Sequence, residues 1–287
     1  MNASDFERMK RLSADIRIET IRTIAAAGFG HIGGSASIAD VLAVLYGGVM
    51  NVDPKNPAWE DRDWFVLSKG HCGPALYAAL ALKGYFPMEW LDTLNQPGTR
   101  LPSHADMQKT PGVDMTTGSL GQGMSAAVGI AMGNRVKGKQ SYTYCIVGDG
   151  ELNEGQIWEA AQAACHHKLD RLIVFVDWNK KQIDGRLEAV NDPLDISRKF
   201  DSFGFDSVVV KGYDVEEIYY AIERAKEIKE KPHVIILDTI KGLGVSFAER
   251  VEANHYLVIS QEMAKEGIDE IEKRYAQGTY PGGDFKW

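Results

Sequence analysis

A chain of 287 residues permits one large or two small domains, and an apolar content of 44% is ordinary for a soluble protein with a substantial core. Its formal charge of −8 argues against a general nucleic-acid binder and gives no attraction to an anionic membrane surface. Three cysteines (Cys72, Cys145, Cys165) in small or apolar surroundings read as reduced side chains of a cytoplasmic protein, and neither a signal peptide nor an apolar run of about twenty residues is seen.

Ser4 to Ala27 reads as a helix, with Leu12, Ile16, Ile21 and Ile24 on one side, Ser4 as its cap and Gly28 as its stop. Gly30-His31-Ile32-Gly33-Gly34-Ser35 reads as a flexible loop displaying a histidine, and Ser37 to Tyr46 as a second helix. After a Pro-bearing surface loop from Asn51 to Asp63, Trp64 to Leu67 is a short strand with Ser68-Lys69-Gly70-His71 at its carboxyl end. Ala75 to Lys83 is expected to be a buried helix, Asn95 to Ser119 a loop, and Met124 to Arg135 a helix of small residues.

Tyr142 to Val147 is an apolar run of strand type. It runs into Gly148-Asp149-Gly150, where glycines let the backbone turn and approach a ligand closely. Glu154 to His167 is expected to be a helix with Ile157, Ala160, Ala161 and Ala164 on one face. Leu172 to Val176 is the next strand, ending on Asp177-Trp178-Asn179. Ser207 to Val210 and Val234 to Asp238 are further strands, with a charged amphipathic helix, Glu216 to Lys229, between them. Lys241-Gly242-Leu243-Gly244 is a second glycine loop, Ser260 to Gln277 a helix and Pro281 to Trp287 a tail. With no repeat or linker, residues 1–287 are expected to form one α/β domain with a C-terminal helical extension.

In open parallel sheets, ligands sit beyond the carboxyl ends of the strands, where helix N-termini point. Asp149 and Asn179 leave adjacent strands at that edge, thirty residues apart, and offer one charged and one neutral oxygen. That set, completed by a backbone carbonyl such as that of Lys181, suits Mg²⁺, which takes few side-chain oxygens alongside phosphate and water. Four of the seven histidines (His31, His71, His104 and His255) stand in glycine- or proline-bearing loops. Neutral imidazoles there would exchange protons and hydrogen-bond sugar hydroxyls. A dinucleotide oxidoreductase is disfavoured because the Gly-Asp-Gly turn lacks the third glycine of that fingerprint.

Gly148-Asp149-Gly150 followed by Asn179 resembles the thiamine diphosphate and metal signature, and Glu154-Gly155 with Trp158-Glu159-Ala160 resembles its transketolase branch. The His31, Lys69–His71 and Thr117–Gly123 motifs match that family in order, so that the resemblance spans roughly Ala14 to His255. It implies a thiamine diphosphate-binding α/β fold, with a parallel sheet flanked by helices on both faces. It also implies metal ligation by Asp149, Asn179 and the Lys181 carbonyl, with Mg²⁺ or Ca²⁺ as the ion. Cofactor contacts would come from His71, Gly118, Ser119, Leu120, Asp149, Gly150, Glu154, Asn179, Ile183 and His255, and catalytic contacts from His31, His71, His104 and His255.

The family's second domain, with the glutamate that activates the cofactor, has no counterpart after His255. A separate C-terminal subunit carrying the pyrimidine-binding domain is therefore implied, in an α₂β₂ assembly acting on sugar phosphates. Two departures lie at the substrate entrance: Ser103-His104-Ala105 where the family commonly shows Gly-His-Pro, and Asn254-His255-Tyr256 where it shows Trp-His-Gly. They favour, as alternative, a sulfo- or branched sugar; a non-catalytic thiamine-binding subunit is the other alternative.

Overall fold

The computed structural model describes residues 1–281, so that the expected tail lies, from residue 282 on, outside the described residues. Five strands form a parallel sheet: β1 (Trp64–Leu67), β2 (Thr143–Gly148), β3 (Leu172–Trp178), β4 (Asp206–Lys211) and β5 (His233–Asp238). Their order is β1-β2-β3-β5-β4. The apolar runs are almost unbroken because both faces are covered, as parallel sheets require.

Alternate residues on these strands enter two cores. Tyr144, Ile146, Ile173, Phe175, Ile235 and Leu237 pack with α1 (Ala3–Ala27), α2 (Gly73–Lys83), α6 (Val215–Glu227) and α7 (Gln261–Ala276). Cys145, Val147, Val174, Val176, Val234 and Ile236 pack with α3 (Gln122–Val136), α4 (Gly155–His166) and α5 (Ile196–Phe203). Helices therefore lie on both faces, as expected. Among the described residues, no helix is long and apolar enough to cross a membrane.

Several local expectations change. Asn2, not Ser4, caps α1: its side chain accepts the Asp5 N–H at 3.1 Å while the Asp5 carboxylate accepts the Asn2 N–H at 2.9 Å, a reciprocal capping box. The glycine stretch around His31 is not a flexible loop. Phe29–Gly30 pairs antiparallel with Leu257–Val258, and Ile32–Ala36 forms a fully buried helical turn. The helix expected at Ser37–Tyr46 is shorter, Ala39–Val44, and widens into a π-turn over Leu45–Val49. Helix α5, for which the sequence reading gave no element, is amphipathic: Ile196 and Phe200 are buried in the second core and Phe203 packs against it, at i, i+4 and i+7, while Asp195 caps it by accepting the Arg198 N–H at 3.0 Å.

One buried ion pair ties the first helix to the site end of the sheet. Arg17, fully buried on α1, meets Asp40 at 2.5 Å and donates from Nε to the Leu243 carbonyl at 2.7 Å. The second glycine loop is thereby anchored to α1. Breaking a buried pair strands a charge in a medium that solvates it poorly. Asp40→Ala is therefore expected to lower unfolding free energy by about 3–5 kcal/mol, read by denaturant titration; a loss under about 1 kcal/mol would show that water reaches Arg17 instead.

Candidate functional site

Register brings the candidate cation ligands together. Gly148 of β2 lies beside Asp177 of β3, so the residues that follow, Asp149 and Asn179, leave the sheet as neighbours. Asp149 is buried; one carboxylate oxygen accepts the Gly150 N–H at 2.8 Å and the other the Lys180 N–H at 2.6 Å. Lys180 adopts φ 66°, a conformation that costs a non-glycine residue free energy and is held here by that bond.

Asp177, fully buried, accepts at one oxygen from Ser37 Oγ (2.7 Å), Lys69 Nζ (2.6 Å) and Asn179 Nδ2 (2.6 Å). Because the amide nitrogen must face this carboxylate, Asn179 Oδ1 is turned the other way, where it accepts the Lys181 N–H at 3.2 Å. Burial, and then the Asp177 charge, push the Asp149 carboxyl up to about 7.

The four loop histidines converge. His31 lies 5.3 Å from His71, 5.6 Å from His104 and 5.1 Å from His255 between ring centroids, and His71 lies 4.8 Å from His255. The loops that carry them are tied to the strand ends. Ala105 donates to the Gly70 carbonyl at 3.2 Å, Thr117 donates to the Ala105 carbonyl at 3.1 Å, and Thr117 Oγ1 donates to the Leu67 carbonyl at 2.6 Å. Gly118, at φ +148°, passes so close to His104 that a Cβ would stand 2.9 Å from its ring.

Burial keeps these imidazoles neutral. His31 is pushed down to about 4 by burial and then by His104 and Lys241; His255 falls to about 3 by burial and then by Lys241. His71 lies well below its usual value and His104 is lowered, both through burial.

These groups line one cleft of about 330 Å³ at the carboxyl edge of the sheet. His31, His71, His104, Gly118, Leu120, Asp149, Gly150, Glu154, Asn179, Lys181, Ile183 and His255 all border it, with Glu154 and Ile183 on its exposed side. Ser119 is exposed and does not line it.

Sequence reasoning missed five contributors. Lys69 and Asp177 form a buried pair beneath the cleft, and Glu151 accepts the Gly121 and Gly148 N–H groups at 2.8 and 2.9 Å, joining the Gly118 loop to β2. Lys241 donates to the Lys181 carbonyl at 3.2 Å and lies 3.2 Å from His255 Nδ1. Asn254 holds that loop by donating to the Lys241 and Ala248 carbonyls at 2.8 and 2.9 Å. Lys241 and Asp177 sit at strand ends beside glycine or asparagine, a position that could have flagged them; Glu151 and Asn254 gave no sequence signal.

Residues 8–277 match the family described as transketolase, thiamine diphosphate binding domain. The chain is 53% identical over 261 residues to the 6-deoxy-6-sulfo-D-fructose transketolase subunit SqwG of Clostridium sp. (strain MSTE9), covering 91% of this chain and 95% of that one. It is 37% identical to an apulose-4-phosphate transketolase subunit of Phocaeicola vulgatus, covering 93% and 95%. The solved transketolase from Leishmania mexicana superposes with a TM-score of 0.87 at 33% identity, over 97% of this chain and 42% of that one. The chain belongs to the transketolase family, as its N-terminal, thiamine diphosphate-binding part.

The neutral histidines predict a pH signature. A group whose folded pKa is depressed contributes fully above its unfolded value, here 6.5, and its contribution is lost as pH falls toward the folded value, about 4 for His31. His31→Asn is therefore expected to lose less melting temperature between pH 7.5 and 5 than the parent protein. Equal losses would show that His31 titrates normally.

Proposed function

We propose that the chain is the N-terminal subunit of a two-chain transketolase that transfers a two-carbon ketol unit from a ketose to an aldose. Thiamine diphosphate and a divalent cation would be held in the cleft, and turnover would require a C-terminal subunit. The observation that carries this reading is the meeting of Asp149, Asn179 and four neutral histidines in one cleft at the carboxyl edge of the sheet.

The residues present suit the cofactor. Asp149, pushed up to about 7 by burial, is a carboxyl that a divalent cation would keep ionised. Asn179 Oδ1 and the Lys181 carbonyl add neutral oxygens; the small hard set favours Mg²⁺ and admits Ca²⁺. Gly150, which borders the cleft, packs so close to Gln182 that a Cβ there would stand 2.7 Å from the Gln182 Cβ, so only glycine fits at this bend. Lys241, buried beside the cation ligands, would offset diphosphate charge.

When bound, thiamine diphosphate supplies the electron sink for breaking the C2–C3 bond of a ketose. His31, His71, His104 and His255, kept neutral by burial, would donate or accept hydrogen bonds at sugar hydroxyls and exchange their protons. Leu120 and Ile183 offer the cofactor apolar surface, while Ser119 and Glu154, on the exposed side, would face the partner.

The C-terminal subunit would bring the pyrimidine-binding domain and the activating glutamate, in an α₂β₂ assembly in the cytoplasm. The word subunit in the names of two relatives and the 42% coverage of the Leishmania transketolase support this division.

The donor has two readings. The family at large favours a ketose phosphate. The 53% identity to a 6-deoxy-6-sulfo-D-fructose transketolase subunit, together with the departures at Ser103-His104-Ala105 and Asn254-His255-Tyr256, favours a ketose ending in a sulfonate.

Purifying the chain with its C-terminal partner and assaying ketol transfer with thiamine diphosphate and Mg²⁺ tests the reading. Transfer is expected only with both chains present, and turnover by this chain alone would overturn the proposed division. In the assembled enzyme, Asp177→Asn is expected to weaken cation-dependent cofactor binding about 10–100-fold, the cost of losing an outer partner of a ligand. Asp149→Ala, which removes a ligand itself, should weaken binding beyond that range; unchanged binding would refute the cation assignment.

A further inference from the structure

Two exposed aromatic rings lie outside both cores, one of them against a cleft histidine. Tyr256 and Phe29 are 44% and 43% exposed, and their rings lie 5.7 Å apart. Tyr256 also meets His31 edge-to-face, at 5.0 Å between centroids and 77° between planes. The antiparallel pairing of Phe29–Gly30 with Leu257–Val258 fixes this geometry, so both rings sit on a short clamp between the loops that carry His31 and His255. Among the described residues, the Tyr256 hydroxyl has no hydrogen-bond partner. His31, on which the ring rests, borders the cleft, whereas Tyr256 does not.

We propose that Tyr256, backed by Phe29, is a specificity-determining wall that reads the end of the ketose farthest from the bond that breaks. The inference rests on the ketol-transfer reading and names the part of the substrate that this rim selects. A ketose whose reacting carbons lie deep among the histidines would run its far end outward, past the aromatic pair.

That end meets an edge of aromatic ring, the Tyr256 hydroxyl and the neutral His31 imidazole; among the described residues no cation stacks on either ring, and the buried Lys241 is engaged with the Lys181 carbonyl and His255. Such a wall accepts a singly charged tetrahedral oxyanion, a sulfonate, at lower desolvation cost than a doubly charged phosphate, because two rings, a hydroxyl and a neutral imidazole offset little of the second charge. The hydroxyl supplies one hydrogen bond to an oxygen of either group. Selection here comes from the difference in cost between two similar ends, which a small change of wall can alter substantially.

The test uses the assembled two-chain enzyme, with 6-deoxy-6-sulfo-D-fructose and D-fructose 6-phosphate as paired donors. The parent is expected to favour the sulfonate end. Tyr256→Gly should reduce the ratio of kcat/KM between the two donors by at least about tenfold, chiefly through KM, with thiamine diphosphate affinity unchanged. Tyr256→Phe, which keeps the ring, should lose only part of the preference.

Ketol transfer with no preference between the donors, or a preference that survives Tyr256→Gly, would overturn the wall while leaving the ketol-transfer reading intact. Loss of co-purification of the two chains in Tyr256→Gly would also overturn it, by making the rings a contact between the chains. Absence of transfer from either donor by the parent assembly would instead count against ketol transfer itself.

Discussion

A single buried carboxylate, Asp177, holds the site end of the molecule together. Its oxygen gathers a hydroxyl from Ser37, an ammonium from Lys69 and an amide from Asn179, three donors from segments that are far apart in sequence. Each donor does a second task. Ser37 follows the helical turn after His31, Lys69 also donates to the Gly34 carbonyl at 2.9 Å, and Asn179 is thereby turned to present its oxygen. A fully buried carboxylate is tolerable only with this many charge-assisted bonds. Any shift of one segment would therefore leave the others with an unsatisfied buried charge, which is why three separate loops share one geometry.

The same burial sets the electrostatics of the cleft. Desolvation raises Asp149 and lowers the histidines, so both acidic and basic groups are driven toward neutrality. A site tuned in this way carries little charge of its own and gains it from what binds. Lys69 is paired with Asp177, while Lys241 is directed to the Lys181 carbonyl and to His255, so positive charge lies between the candidate cation ligands and the histidines.

The cleft's outer edge is open and mixed, with Asn153, Glu154 and Asp184 exposed alongside apolar Ile183. Ile183 is 63% exposed there, and Tyr256 and Phe29 are likewise exposed. In the proposed assembly that edge is where this chain, the substrate and the partner would meet, so the exposed positions are the ones that would differ between donors while Asp149, Asn179 and Asp177 stay fixed.

Much of this was legible in the sequence because it depends on local periodicity and on motif spacing. Apolar runs such as Leu172 to Val176, bounded by turn residues, read as strands covered on both faces, and Gly148-Asp149-Gly150 with Asn179 thirty residues on places oxygens at strand ends that the sheet brings side by side. The four histidines could be singled out from their glycine- and proline-bearing loops. What the sequence alone did not determine were the interactions between segments distant in the chain. Glu151 bridging two glycine loops, Asn254 clamping the Lys241 loop and the ordered turn around His31 depend on which backbone groups happen to face them after folding. Hydrogen bonding of that kind carries no periodicity, so only the tertiary structure could decide it.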